Sequence, residues 1–128
     1  MRRIMFRLAS ELAKRRNCPA ISSGESVGQV ASQTLESMNT INDVTNMPIL
    51  RPLVTTDKLD IIEMARKIDT YEISIRPFED CCTIFAPKNP KTKPALDKAI
   101  EYENKFDYQT LINEALDNIE VIYVKRED

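Results

Sequence analysis

Residues 18–38 run CPAISSGESVGQVASQTLESM, and the order of properties along this stretch decides the fold class. Cys18, Pro19, Ala20 and Ile21 form a short apolar run that predicts a buried strand. Ser22, Ser23, Gly24 and Glu25 follow as a turn. From residue 25 to about 38, Val27, Val30, Ala31, Thr34, Leu35 and Met38 recur at helical spacing, with Ser23 or Gly24 as the cap. Strand, turn and helix in this order make one unit of an α/β layer fold.

The pattern extends in both directions. Upstream, Ile4, Leu8 and Leu12, with Met5 and Ala9 beside them, predict a helix over residues 3–16 that stops at Asn17. Downstream, residues 40–46 form a polar connection, and residues 48–53 are extended because Pro48 and Pro52 keep their predecessors out of the helical region. A helix over residues 57–68 follows, capped by Thr56, with Ile61, Ile62, Ala65 and Ile68 facing inward. Periodicity fails from residue 71 to 93, which predicts a long structured loop, and loops of that length inside a domain usually carry function. Helices over 94–104 and 108–117 and a strand over 119–124 complete the order, before a charged tail. The alternation predicts a parallel sheet, but only two or three strands are visible, so the chain looks like the second half of a larger domain.

Composition narrows the chemistry. With 128 residues, 42% hydrophobic and 30% charged, the chain can bury a core, and a net charge of −2 is too small for intrinsic disorder. No apolar run reaches the roughly 18–20 residues of a membrane span, and the amphipathic start predicts no signal peptide. Three cysteines, two of them adjacent, make no disulfide framework and fit a reducing compartment. The chain has no histidine, which excludes His-dependent zinc sites and Ser-His-Asp or Cys-His machinery built within it. Residues 1–16 carry a net +5 and the other 112 a net −7, so a basic leading segment is hidden in the average.

Four places could hold chemistry. The two glycines of the chain, Gly24 and Gly28, sit at the strand-to-helix turn, where free backbone N–H groups offer an anion or a nucleotide edge a place to bind. Gly28 would equally serve close helix packing. Gln33 lies one helical repeat from Gln29 and, on pattern alone, is a solvated side chain. Lys58 opens a helix, where its charge opposes the dipole, although an exposed lysine is the ordinary explanation. Cys81 and Cys82 sit in the long loop ahead of Lys88, Lys91 and Lys93. Either cysteine could be a small buried hydrophobe, or a thiolate nucleophile or sulfur acceptor whose pKa those lysines lower. Nothing in the pattern completes a protein-held metal site.

The string Ser23-Gly24-Glu25-Ser26-Val27-Gly28-Gln29-Val30-Ala31-Ser32-Gln33-Thr34, then Ile49-Leu50-Arg51-Pro52-Leu53 and Asp57-Lys58, then Glu79-Asp80-Cys81-Cys82, closely resembles the ThiI family. These are tRNA 4-thiouridine synthetases, or tRNA sulfurtransferases, with a PP-loop ATP pyrophosphatase domain, and the resemblance runs from Arg2 to about Phe106. It implies a three-layer α/β/α parallel sheet of the adenine nucleotide alpha hydrolase type. It further implies that ATP, with Mg²⁺, adenylates a tRNA uridine and that sulfur from a cysteine desulfurase persulfide displaces AMP. The family also supplies sulfur for the thiazole of thiamine. Arg2, Gly24 and Gln33 match ATP-contacting positions, Lys58 a lysine required for activity, and Cys81 the cysteine of sulfur transfer, with Cys82 the adjacent alternative.

The departures are equally specific. No SGGxDS phosphate loop, ferredoxin-like, THUMP or rhodanese region occurs within these 128 residues, so residues 1–128 are expected to be the C-terminal part of the PP-loop domain, inactive alone and prone to self-association. A cytoplasmic protein with no membrane contact is expected. The alternatives are another PP-loop adenylating enzyme and a non-enzymatic α/β interaction module.

Overall fold

The first helix, α1, spans Arg2–Arg15 in the computed structural model, which describes residues 1–29, 33–78 and 92–125. It stops where the sequence predicts. Asn17 adopts φ 56°, its N–H donates to the Lys14 carbonyl at 3.1 Å, and the Cys18 N–H donates to the Ala13 carbonyl at 2.8 Å. This is the Schellman arrangement, in which an αL residue lets the last carbonyls find donors. Cys18 is thereby spent on ending the helix and is exposed, and the strand predicted at residues 18–21 begins later.

That strand, β1, is Ile21–Ser22, and it pairs in parallel with β2, Ile49–Leu50, Ile21 opposite Ile49 and Ser22 opposite Leu50. The ladder continues one bond each way, from the Ile21 N–H to the Pro48 carbonyl and from the Ser23 N–H to the Leu50 carbonyl, both at 3.0 Å. Pro19, Pro48 and Pro52 lack a donor and bracket the pair, which keeps both strands short.

The helix expected over residues 25–38 is the main correction. Helix α2 spans Leu35–Asn42, capped by Thr34, whose Oγ1 accepts from the Ser37 N–H at 3.1 Å. It therefore runs on into residues 40–42, the start of the stretch expected to be polar connection. Residues 23–28 instead run beside residues 50–56, with the Val27 N–H donating to the Val54 carbonyl at 2.9 Å and Ser26 Oγ to the Thr56 carbonyl at 3.0 Å. Gly28 at φ +83° cannot continue a right-handed helix, and the small polar side chains give this backbone other partners.

Helix α3, Lys58–Lys67, starts after Asp57 rather than Thr56 and ends in a second αL residue, Asp69 at φ 56°. None of its residues is buried, and Ile68, expected to face inward, is 63% exposed. A single turn, α4 (Tyr71–Ser74), occupies the start of the expected loop. Helices α5 (Leu96–Glu103) and α6 (Tyr108–Asp117) follow the predicted boundaries closely, and Asp107 caps α6 by accepting from the Thr110 N–H at 3.1 Å. Residues 119–125 form no strand and are exposed. Among the described residues the sheet has two strands, a mixed helix and strand fold with a small parallel sheet.

The core gathers Phe6 and Ala13 of α1, Met38 and Ile41 of α2, and Ile112 and Leu116 of α6. The buried face of α1 is Arg3, Phe6, Ser10 and Ala13, rotated from the Ile4–Leu8–Leu12 stripe. Its polar members have partners inside the fold: Ser10 Oγ donates to the Phe6 carbonyl at 2.7 Å, and Arg3 is paired through its terminal nitrogens, with Nε buried and without a partner among the described residues. Arg3 Nη2 and Arg7 Nη2 both donate to Glu103 Oε2, at 2.9 and 3.1 Å, which fastens α5 to α1. Arg3 Nη1 also reaches Asp43 Oδ2 at 3.3 Å and the Thr40 carbonyl. Burial pushes the Glu103 carboxyl up, but the hydrogen bonds and charges of Arg3 and Arg7 outweigh it and hold the group below the usual carboxylate range.

Glu103→Gln is therefore expected to cost about 2–3 kcal/mol near neutral pH. Because the folded pKa lies below the unfolded one, the stabilisation is complete above the unfolded value and is lost as pH falls through the folded value. Urea unfolding of both proteins along an acid series should show their stability gap closing; a gap independent of pH contradicts the assignment.

Candidate functional site

In open parallel sheets, ligands bind outside the carboxyl ends of the strands. Here β1 leads into Ser23, Gly24 and Glu25, and β2 leads into Arg51. Glu25 is buried at 8% exposure and both its oxygens are engaged. Oε2 accepts from Arg51 Nε at 2.7 Å and from Ser23 Oγ at 3.0 Å, and Oε1 accepts from Arg2 Nη1 at 3.1 Å. Arg51 Nη2 donates to Asn42 Oδ1 at 2.6 Å, and its guanidinium lies 5.7 Å from the centre of the Phe6 ring. Two guanidinium groups, those of Arg2 and Arg51, thus meet this one carboxylate at the strand ends.

Gly24 stands between Ser23 and Glu25, is exposed, and a Cβ placed there would meet nothing within 4 Å. The packing of this chain does not require a glycine at that position. Gly28 does need one, for its φ of +83°, and its N–H donates to the Gln33 carbonyl at 2.9 Å. The Gln33 side-chain Oε1 is buried without a hydrogen-bond partner among the described residues. Lys58 is exposed at the first position of α3, two residues past Thr56, whose carbonyl is held by Ser26. Short ties within one loop system thus join the surroundings of Gly24, Gln33 and Lys58, and Arg2 enters through Glu25.

Cys81 and Cys82, with Lys88 and Lys91, lie outside the described residues. Where the description resumes, the chain is fastened to α2. Thr34 Oγ1 donates to the Thr92 carbonyl at 2.6 Å, Lys93 Nζ lies 3.3 Å from Glu36 Oε1, and Thr40 Oγ1 donates to the Pro94 carbonyl at 3.0 Å. Thr92 therefore lies beside Thr34, the neighbour of Gln33. The Glu36 backbone N–H and Lys93 hold the Glu36 carboxyl below its ordinary value.

Glu25 and Arg51 are the members of this cluster to which sequence reasoning gives no role. The available signal is position: each is a charged residue within three residues of a strand end, Arg51 directly after β2 and Glu25 at the third place after β1, where burial demands a partner. A cleft of about 560 Å³ at the opposite, amino ends of the strands is lined by Arg7, Glu11, Lys14, Asp43 and Met47 among others, and by none of the residues the sequence singles out. Among the described residues there is no group of three or more His, Cys, Asp or Glu able to hold a metal ion, and no helix long and apolar enough to cross a membrane.

Residues 1–108 match the family model for thiamine biosynthesis protein (ThiI). The chain is also similar to a solved structure, a 4-thiouridine synthetase–RNA complex with bound ATP, at 45% sequence identity and a TM-score of 0.85. The match covers 91% of this chain and 31% of that one, so the chain spans about a third of the length of the solved protein.

Proposed function

The chain belongs to the ThiI family, and we propose that it forms the C-terminal part of the PP-loop ATP pyrophosphatase domain of a tRNA sulfurtransferase. The observation that carries this reading is the similarity to a 4-thiouridine synthetase solved with RNA and ATP. In the whole domain the two-stranded sheet is one half of a three-layer α/β/α sandwich. The exposed apolar side chains of α3 and α4, Leu59, Met64 and Ile73 among them, are then covered by the rest of the protein or by self-association.

The residues present fit ATP. The guanidinium groups at the strand ends suit its phosphates, the open face of Gly24 lets a ligand approach the backbone, and the Gln33 Oε1, unpartnered among the described residues, suits an N–H donor such as the adenine amino group. Arg2, Gly24 and Gln33 hold the nucleotide, and Lys58 neutralises charge on the phosphates or on the adenylate. Mg²⁺ arrives with the phosphates, as it commonly does, rather than in a cage of carboxylates. The uridine O4 of tRNA attacks the α-phosphate and pyrophosphate leaves. The outer sulfur of a persulfide, passed from a cysteine desulfurase to Cys81, then attacks C4 and AMP leaves with O4. A second thiol cleaves the S–S bond that now joins the uridine to Cys81, which releases 4-thiouridine and leaves a disulfide that an external thiol reduces. The same sulfur supply serves the thiazole of thiamine, and the cytoplasm provides the reducing conditions this requires.

The test is the 4-thiouridine content of unmodified tRNA after incubation with the enzyme that contains this chain, a persulfide donor, and either ATP or none. The expected result is accumulation only with ATP. Thiolation without ATP, or none with it, contradicts the reading.

A further inference from the structure

Glu25 holds two guanidinium groups of unequal exposure. The inner one, Arg51, is 11% exposed and fixed on three sides, by Glu25 Oε2 at 2.7 Å, by Asn42 Oδ1 at 2.6 Å and by the Phe6 ring at 5.7 Å. The outer one, Arg2, is 29% exposed and meets the other oxygen of the same carboxylate at 3.1 Å. Ser23 Oγ adds a donor to Oε2 at 3.0 Å, so the carboxylate cannot rotate without breaking a contact. The rigidity of Arg51, which is anchored to α2 and α1, thus reaches Arg2 through Glu25. Buried, charge-assisted and multiply held, this is the kind of support that fixes a ligand-binding group in one orientation.

We propose that Glu25 is a positioning residue of the nucleotide site, aiming the Arg2 guanidinium beside Gly24 so that it meets an anionic group of ATP. The proposal rests on the reading of Arg2 as a nucleotide contact. Glu25 itself touches no nucleotide, and its whole effect on ATP passes through Arg2.

The experiment is a double-mutant cycle in the enzyme that contains this chain, with ATP KM, kcat and thermal unfolding measured for wild type, Glu25→Gln, Arg2→Ala and the pair together. Glu25→Gln is expected to raise the ATP KM about tenfold in the presence of Arg2 and by less than about twofold in the Arg2→Ala background, because nothing remains to be aimed. Glu25→Asp keeps the charge but shortens the reach, and its KM should fall between those of wild type and Gln; it replaces Gln in the cycle if the Gln variant fails to fold. Equal KM changes in both backgrounds, accompanied by a lower Tm, would show a purely structural role and overturn the proposal alone. An ATP KM that Arg2→Ala leaves untouched would remove the nucleotide reading of Arg2, and the proposal with it.

Discussion

Lys58→Ala is expected to lower ATP-dependent AMP formation by about 10²–10³-fold, a loss of about 2.7–4 kcal/mol, as for other preorganised groups that stabilise developing charge. Lys58 stands at the first position of α3, exposed, in a place where a cation opposes the helix dipole. A lysine so placed does not serve the helix. The combined field of the ammonium and the free N–H groups of the first turn instead suits a phosphate. Folding should be unaffected, because Lys58 buries nothing, and unfolding curves of the variant should overlay those of wild type. Lys58→Arg should recover only part of the rate, since a planar guanidinium does not replace a compact ammonium. Quenched-flow measurement of AMP decides the matter: a variant that forms AMP at the wild-type rate removes Lys58 from the site.

Cys81→Ala is expected to abolish thiolated tRNA while leaving AMP formation largely intact. Sulfur handling follows activation, so the two products should part company at this residue and fall together at Lys58. The competent species is a thiolate. Lys88, Lys91 and Lys93, which follow the cysteines in the sequence, are the candidates to lower the thiol pKa, and Lys93 also lies 3.3 Å from Glu36. Cys82→Ala is the internal control, because it removes the adjacent thiol and leaves Cys81 in place. Parallel assays of AMP and of 4-thiouridine across the three variants give the answer. Thiolation that survives in Cys81→Ala but not in Cys82→Ala moves the role by one residue. Thiolation that survives in both means that sulfur arrives directly from the donor persulfide.

Local signals in the sequence predicted what local physics decides. The end of α1 at Asn17 and the span of α6 from Tyr108 agree with expectation because a cap or an αL stop is encoded within a few residues. The stretch from residue 25 to 38 was misread because its apolar spacing is compatible with a helix, whereas Gly28 and the long-range bonds of Ser26 and Val27 to the 54–56 segment commit its first part to another course. The alternation of Ile119, Val121 and Tyr123 is a valid strand signal, but a strand needs a neighbour, and the described residues offer none. At the site, Gly24, Gln33 and Lys58 stand out by residue type and position, whereas their roles, and the choice of Arg2, come only from the resemblance to the ThiI family. The Glu25–Arg51 pair escaped because it joins residues 26 apart, and only the parallel pairing of β1 with β2 brings them together.

The central claim is that this chain helps activate a tRNA uridine by transferring AMP to its O4 oxygen. Heavy oxygen placed at O4 of the target uridine tests this directly, with mass analysis of the AMP released by the enzyme that contains this chain. The account predicts one heavy oxygen in each AMP, because sulfur displaces the nucleotide together with the oxygen it captured. Unlabelled AMP, or ADP with the label left in water or orthophosphate, would contradict it.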